Sequence, residues 1–206
     1  MSAPVFAAHD LSCLRGERLV FAHLNFAVVP GEALVLTGPN GSGKSSLLRL
    51  AAGLSHPEAG QLAWNGEPIE DDADAHRARL TYVGHQDAVK PSLSVGENLR
   101  FWTEFLGAGG GATKPALDAV DLAPLAGLPA AYLSAGQRRR LSIARLIAVP
   151  RPLWLLDEPT SALDAPSQQR LAELMRGHLA NGGMIVAAAH GPIGLERARE
   201  LKLGPP

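Results

Sequence analysis

Residues Gly38-Pro39-Asn40-Gly41-Ser42-Gly43-Lys44-Ser45 fit the pattern G-x-x-x-x-G-K-[ST]. The apolar stretch Ala33-Leu34-Val35-Leu36 precedes them, and a helical stretch from Lys44 to Ala52, closed by Gly53, follows. Strand, Gly-rich turn and helix in that order are the context that separates a phosphate-cradling loop from an ordinary turn. The glycines let backbone N–H groups turn toward a triphosphate, and the helix presents its positive end to the same anion. In this cradle, which runs from Gly38 to Ser46, Lys44 reaches the β- and γ-phosphates and the Ser45 hydroxyl is a Mg²⁺ ligand. The stretch predicts a nucleoside triphosphate site.

Elements outward from this loop alternate. A β-like segment from Leu19 to Val29 comes before the turn Pro30-Gly31, and Gln61–Trp64 and Leu80–Val83 read as further strands. Between those two lies an acidic, turn-forming stretch from Asn65 to Asp74. From Asp87 to Leu133 the texture becomes helical, with Ser94 capping a helix through Glu97, Leu99 and Trp102, and a break at Gly107–Gly111. Another helix follows Ser134, and Leu153–Leu156 is an apolar run of the kind a buried parallel strand shows. Leu171, Leu174, Met175, His178 and Leu179 share a helical stripe that ends at Asn181-Gly182-Gly183, which gives His178 a structural role. Met184–Ala189 is the last strand. Alternating strands and helices imply βαβ crossovers, so the expected class is α/β with a mostly parallel sheet and ligands beyond its carboxyl edge. One domain is expected, with residues 1–86 and 134–206 as core and 87–133 as an inserted helical subdomain.

Composition limits the partners. The 206 residues carry 19 Lys plus Arg against 20 Asp plus Glu, and this balance offers no polyanion such as nucleic acid a basic face. Cys13 is the only cysteine, which excludes an intrachain disulfide or a cysteine zinc cluster. No apolar run approaches the roughly 18 residues that span a bilayer, and Met1–Asp10 lacks a signal-peptide pattern, so a soluble, cytoplasmic protein is expected. Arg138-Arg139-Arg140 reads as surface charge that caps or solvates its helix.

A triphosphate site needs a carboxylate from elsewhere. Asp157 follows directly on the strand Leu153–Leu156, where it can hold Mg²⁺. Glu158 comes next and suits a general base that orients the attacking water.

With these residues in place, Leu133-Ser134-Ala135-Gly136-Gln137 resembles the signature of the ATP-binding cassette (ABC) ATPases, upstream of Asp157-Glu158 as in that family. Gln86 resembles the Q-loop glutamine, Ser161-Ala162-Leu163-Asp164 the D-loop, and His190 the switch histidine. The resemblance implies an N-terminal antiparallel β part beside the parallel core. It also implies ATP and Mg²⁺ as ligands, with Gln86, Ser45 and Asp157 around the metal. Two copies would stack head to tail, with ATP between the P-loop of one and the signature of the other. Ser134, Ala135, Gly136 and Gln137 would then meet the partner copy's nucleotide and Asp164 would couple the two sites. His190 would contact the γ-phosphate within its own subunit. Arg15 stands where relatives carry an aromatic residue that stacks on adenine, and its planar cation can take that place. Ala135 stands where glycine is commoner.

A finer resemblance rests on Tyr82-Val83-Gly84-His85-Gln86, on Lys90-Pro91 and on Glu97-Asn98-Leu99-Arg100-Phe101-Trp102, with Ala188-Ala189-His190-Gly191-Pro192 after the switch strand. These are similar to the ATP-binding subunit of bacterial haem exporters in cytochrome c maturation. The implied partners are integral membrane subunits, reached from the cytoplasmic face of the inner membrane. Phe101 and Trp102 are candidates for docking them. Cys13 has no following proline and the histidines show no paired spacing, so no haem is expected on this chain. A kinase or GTPase would not need Leu133–Gln137, and ABC proteins of DNA repair carry inserts or cysteines absent here. An exporter of drugs, lipids or lipoproteins is the remaining alternative.

Overall fold

The computed structural model describes residues 4–107 and 110–204. The expected break at Gly107–Gly111 lies partly outside them. Strands β1 (Phe6–Arg15) and β2 (Arg18–Val28) form a hairpin, and β3 (Ala33–Thr37) leads through the Gly-rich loop into helix α1 (Lys44–Ala51). Next come β4 (Ala59–Trp64), β5 (Glu67–Pro68), α2 (Ala73–Ala78) and β6 (Leu80–Val83). The helical stretch contains α3 (Val95–Phe105) and α4 (Thr113–Ala119). The chain continues with α5 (Ala135–Ala148), β7 (Leu153–Asp157), α6 (Ala165–Ala180), β8 (Met184–Ala188) and β9 (Arg199–Lys202).

Two sheets result. One is antiparallel in the order β2-β1-β4-β5 and the other parallel in the order β6-β7-β8-β3-β9. The central parallel strands β3, β7 and β8 are buried on both faces, and their side chains alternate between two apolar clusters. Leu34, Leu36, Leu153, Leu155, Met184 and Val186 face α1 and the antiparallel sheet. Ala33, Val35, Trp154, Leu156, Ile185 and Ala187 face α5, α6 and the residues of α3 and α4. Period-2 alternation with both faces apolar is what continuous hydrophobic runs in a parallel sheet mean. Among the described residues no helix is long and apolar enough to cross a membrane.

Several local features follow directly from sequence. Ser94 caps α3, accepting from the Glu97 N–H while the Glu97 carboxylate accepts from the Ser94 N–H. Those bonds hold the exposed Glu97 carboxyl below its ordinary pKa. His178 stacks on Trp154 with ring centres 3.8 Å apart and faces the Met184 carbonyl at 3.3 Å, the structural place its stripe predicts.

Other features were not foreseen. The expected turn from Asn65 to Asp74 contains β5 and the start of α2. The residues of β1 and β9 were not expected as strands, although the antiparallel part that contains β1 was implied. The arginine run needs a correction, because Arg139 is only 3% exposed and points inward. A helical turn of three consecutive arginines brings one of them onto the buried face. Arg138 and Arg140 keep to the helix exterior, donating to the carbonyls of Leu133 and of Val120 and Asp121.

Candidate functional site

The register of the parallel sheet decides where the chemistry gathers. Leu36 and Asp157 both lie level with Ala188, so β3, β7 and β8 end together. Gly38, Asp157-Glu158 and His190 therefore emerge at one carboxyl edge, with Gly84–Gln86 after β6 beside them.

A cavity of about 410 Å³ opens at that edge. Asn40, Gly41, Gly43, Lys44, Ser45 and Ser46 form its floor. Gly43 has a φ of 98°, and a Cβ there would collide with Val20 and Phe21 of the β1–β2 hairpin. Only glycine allows the loop to turn and the hairpin to close over it. No side chain caps α1, which leaves its first N–H groups open to an anion. Lys44 donates to the carbonyls of Gly38 at 2.8 Å and Pro39 at 3.2 Å. The Ser42 hydroxyl is buried with no hydrogen-bond partner among the described residues. An orphaned hydroxyl and open N–H groups around a lysine are donors that a polyphosphate would satisfy.

Ser45 and Asp157 meet across the chain. The Ser45 hydroxyl donates to the Asp157 carboxylate at 3.1 Å, and Asp157 is only 2% exposed. A hydroxyl and a carboxylate beside a phosphate cradle form an oxygen donor set of the kind Mg²⁺ takes. Glu158 follows with a φ of 49°, a left-handed conformation that costs a non-glycine residue about 1–2 kcal/mol. Its N–H donates to the Ala188 carbonyl at 2.9 Å. His190 places Nε2 3.3 Å from the Glu158 carboxylate, and both line the cavity.

Not every predicted residue joins this cavity. Gln86 lines an adjoining groove of about 740 Å³ that shares Ser45, His85 and Asp157 with it. Trp102 and Arg145 form the groove's far wall, with the Arg145 guanidinium 4.7 Å from the Trp102 ring centre. Burial pushes Arg145 down to about 10, with Asp87 opposing and Arg139 adding to the shift. Phe101 and Phe105 stack on each other beside this wall and are exposed.

The signature residues lie apart from the cavity. Ser134 caps α5, accepting from the Gln137 N–H while the Gln137 side chain accepts from Ser134 N–H. Ala135 is exposed. A Cβ on Gly136 would lie 2.8 Å from the Ala162 carbonyl, so glycine is required for the D-loop to approach. Asp164 caps α6 by accepting from the Ser167 N–H at 3.0 Å, which lowers its pKa.

Arg15 donates from Nε to the Ser46 hydroxyl at 3.3 Å and lines the cavity at the hairpin end. Arg18, Val20 and His85 line it as well and were not expected as site residues. Arg18 sits opposite Arg15 across the hairpin tip Gly16-Glu17.

Fold and site together define a P-loop nucleoside triphosphatase of the α/β class. A family profile described as "ABC transporter" matches residues 21–161, and the chain belongs to that family. A "Cytochrome c biogenesis ATP-binding export protein CcmA" of Paramagnetospirillum magneticum is 54% identical, over 98% of this chain and 95% of that one. The protein of the same description from Rhodopseudomonas palustris strain BisB5 is 58% identical, over 96% and 97%. A solved structure described as "Structure of ATP binding subunit of ABC transporter" superposes with a TM-score of 0.88 at 26% identity, covering 97% of this chain and 85% of that one.

Proposed function

We propose that the chain is the ATP-binding and ATP-hydrolysing subunit of a bacterial haem exporter in c-type cytochrome biogenesis. Hydrolysis there drives haem delivery or release of a haem-loaded chaperone. The observation that carries the ATPase reading is the meeting of Ser45 and Asp157 at 3.1 Å, with Glu158 and His190 at the mouth of the same cavity. Identity of 54% and 58% to the two export proteins over nearly their whole length supports the place in cytochrome c biogenesis.

The residues divide the work by position. Gly38 to Ser46 hold the triphosphate, and Lys44 exchanges its two loop carbonyls for phosphate oxygens. Mg²⁺, when bound among Ser45, Gln86 and Asp157, neutralises charge developing on the phosphates. Glu158 accepts the proton of the attacking water, and His190 holds the γ-phosphate side. Arg15 lies against the base. Ser134–Gln137 lie away from their own cavity, which supports a head-to-tail dimer in which they cover the partner copy's nucleotide and Asp164 couples the sites. Membrane subunits dock where Phe101 and Trp102 border the groove containing Gln86, and the chain works peripherally on the cytoplasmic face of the inner membrane. No haem or nucleic acid binds this subunit directly; Cys13 is buried.

The test is a peroxidase-activity haem stain of membrane and periplasmic proteins from cells whose only copy carries Glu158→Gln. Covalently attached haem should disappear while total haem is unchanged. A normal stain would move the chain to an exporter of another cargo.

A further inference from the structure

Helix α5 carries the signature serine at its N-cap and, little more than a turn later, the most enclosed cation near the site. Arg139 is 3% exposed, and its guanidinium spends its donors on two separate segments. Nη2 donates to the carbonyls of Asp157 at 2.5 Å and Glu158 at 2.7 Å, and Nε to that of Pro159 at 3.4 Å. Nη1 donates to the Gly84 carbonyl at 2.8 Å and to the Asp87 carboxylate at 3.3 Å. The first group is the backbone of the catalytic turn. The second flanks Gln86 on both sides.

These bonds have a mechanical consequence. Carbonyls 157 to 159 stand at the end of β7, where the ladder that satisfied the strand stops. Glu158 sits there in its left-handed conformation, and such a conformation persists only where the surroundings over-determine it. Its N–H is fixed by Ala188 and its carbonyl by Arg139 at 2.7 Å and by the Ser161 N–H at 3.0 Å. A planar, five-donor guanidinium can hold several carbonyls in one geometry, while a lysine ammonium, a point charge with three donors, cannot reach both segments at once. The Ser142 hydroxyl, one turn along the same face of α5, donates to the Asp87 carbonyl and ties the Gln86 segment a second time.

We propose that Arg139 is a positioning residue, which aims the Glu158 carboxylate and keeps the Gln86 segment and the catalytic turn in fixed register with the signature helix. It touches no substrate. A shift of Ser134 on meeting a nucleotide is carried by one side chain to both segments. The proposal rests on the reading of Glu158 as the base, and the experiment separates the two.

ATP turnover is measured on the full chain with its membrane partners for wild type, Arg139→Lys, Glu158→Gln and the double variant. Arg139→Lys should lower kcat at least tenfold with KM for ATP within twofold, because the P-loop is untouched. In the Glu158→Gln background the same change should alter the residual turnover less than twofold, since two changes acting through one group do not add. A smaller loss in kcat, a KM that rises in step, or an equal loss in both backgrounds would overturn Arg139's part. Near-normal turnover of Glu158→Gln alone would instead remove the base reading, and the proposal with it. If Arg139→Lys does not fold, Arg139→Gln is read by the same criteria. Failure of both to fold would show that Arg139 holds the fold, against the proposal.

Discussion

Acidification from pH 7.5 to 5.5 is expected to weaken the fold through His76. This side chain is 2% exposed and lies between two groups of fixed character. The Trp64 indole N–H can only donate, so Nδ1 accepts it at 3.0 Å; the Ala51 carbonyl can only accept, so Nε2 carries the hydrogen that meets it at 3.0 Å. The neutral tautomer is thereby set, and a proton added at Nδ1 would face another N–H. Burial pushes the pKa below its ordinary 6.5; the Ala51 carbonyl opposes this, and Arg79 and Arg77 add to it. The unfolded chain thus takes up a proton near pH 6.5 that the folded chain refuses until lower pH. Stability is complete above that value and is lost as pH falls through 6.5 toward the folded pKa, by up to about 1.4 kcal/mol per pH unit. For a chain of this length that is about 3–6 °C in Tm per unit. His178, also depressed by burial against opposing carbonyls of Met184 and Pro152, adds a slope of the same sign. Because Ala51 ends the helix that Lys44 begins, the loosened contact reaches the nucleotide site. The assay is the unfolding midpoint of wild type and His76→Gln at pH 7.5, 6.5 and 5.5. The variant should be less stable at pH 7.5 yet fall less steeply below 6.5. Parallel lines would refute the reasoning, since His178 and the carboxylates titrate in both chains.

Glu158→Gln should lower ATP turnover by roughly 10² to 10⁴ while leaving ATP binding intact, the loss a missing general base produces. Turnover within a few-fold of wild type would mean that Glu158 is not the base. Ser134→Arg should leave ATP binding by the isolated chain unchanged and abolish hydrolysis, and normal hydrolysis would rule out a shared-site dimer. Arg15→Ala should raise KM for ATP about two- to fivefold with kcat unchanged, the worth of an exposed cation on a base face. An unchanged KM in steady-state assays would free Arg15 from any contact with the base.

The parts of the molecule legible in sequence are those whose causes are local. The P-loop names its own geometry because its glycines, lysine and serine are contiguous and act together. The central strands β3, β7 and β8 read as apolar runs because both of their faces are covered. Strand β1 escaped because its pattern does not alternate: register shifts between Ala8 and Leu11 and again to Cys13 turn two exposed residues outward in succession, with Asp10 at a φ of 51°. Strand β9, Arg-Glu-Leu-Lys, carries the charges of a sheet edge and so looks like a loop. Helix α2 is six residues long, too short for a helical period to register.

Arg139 is the instructive failure. A run of three arginines is exposed on average, yet the helix it belongs to buries a stripe through Ser142, Ile143 and Leu146, and Arg139 falls on that stripe at i, i+3, i+4 and i+7. The periodicity was available; what sequence lacked was a reason for a charge to go inside. That reason lies 18 to 20 residues away in the chain, in three consecutive carbonyls where β7 gives way to the turn at Glu158. A buried cation is tolerable only where acceptors stand ready for its donors, and here they are gathered by the strand's end and by the left-handed turn at Glu158. The left-handed conformation at Glu158 thus also creates the demand that draws Arg139 inward. Neither the strained turn nor the buried charge is intelligible from its own neighbours in sequence; each is explained by the other.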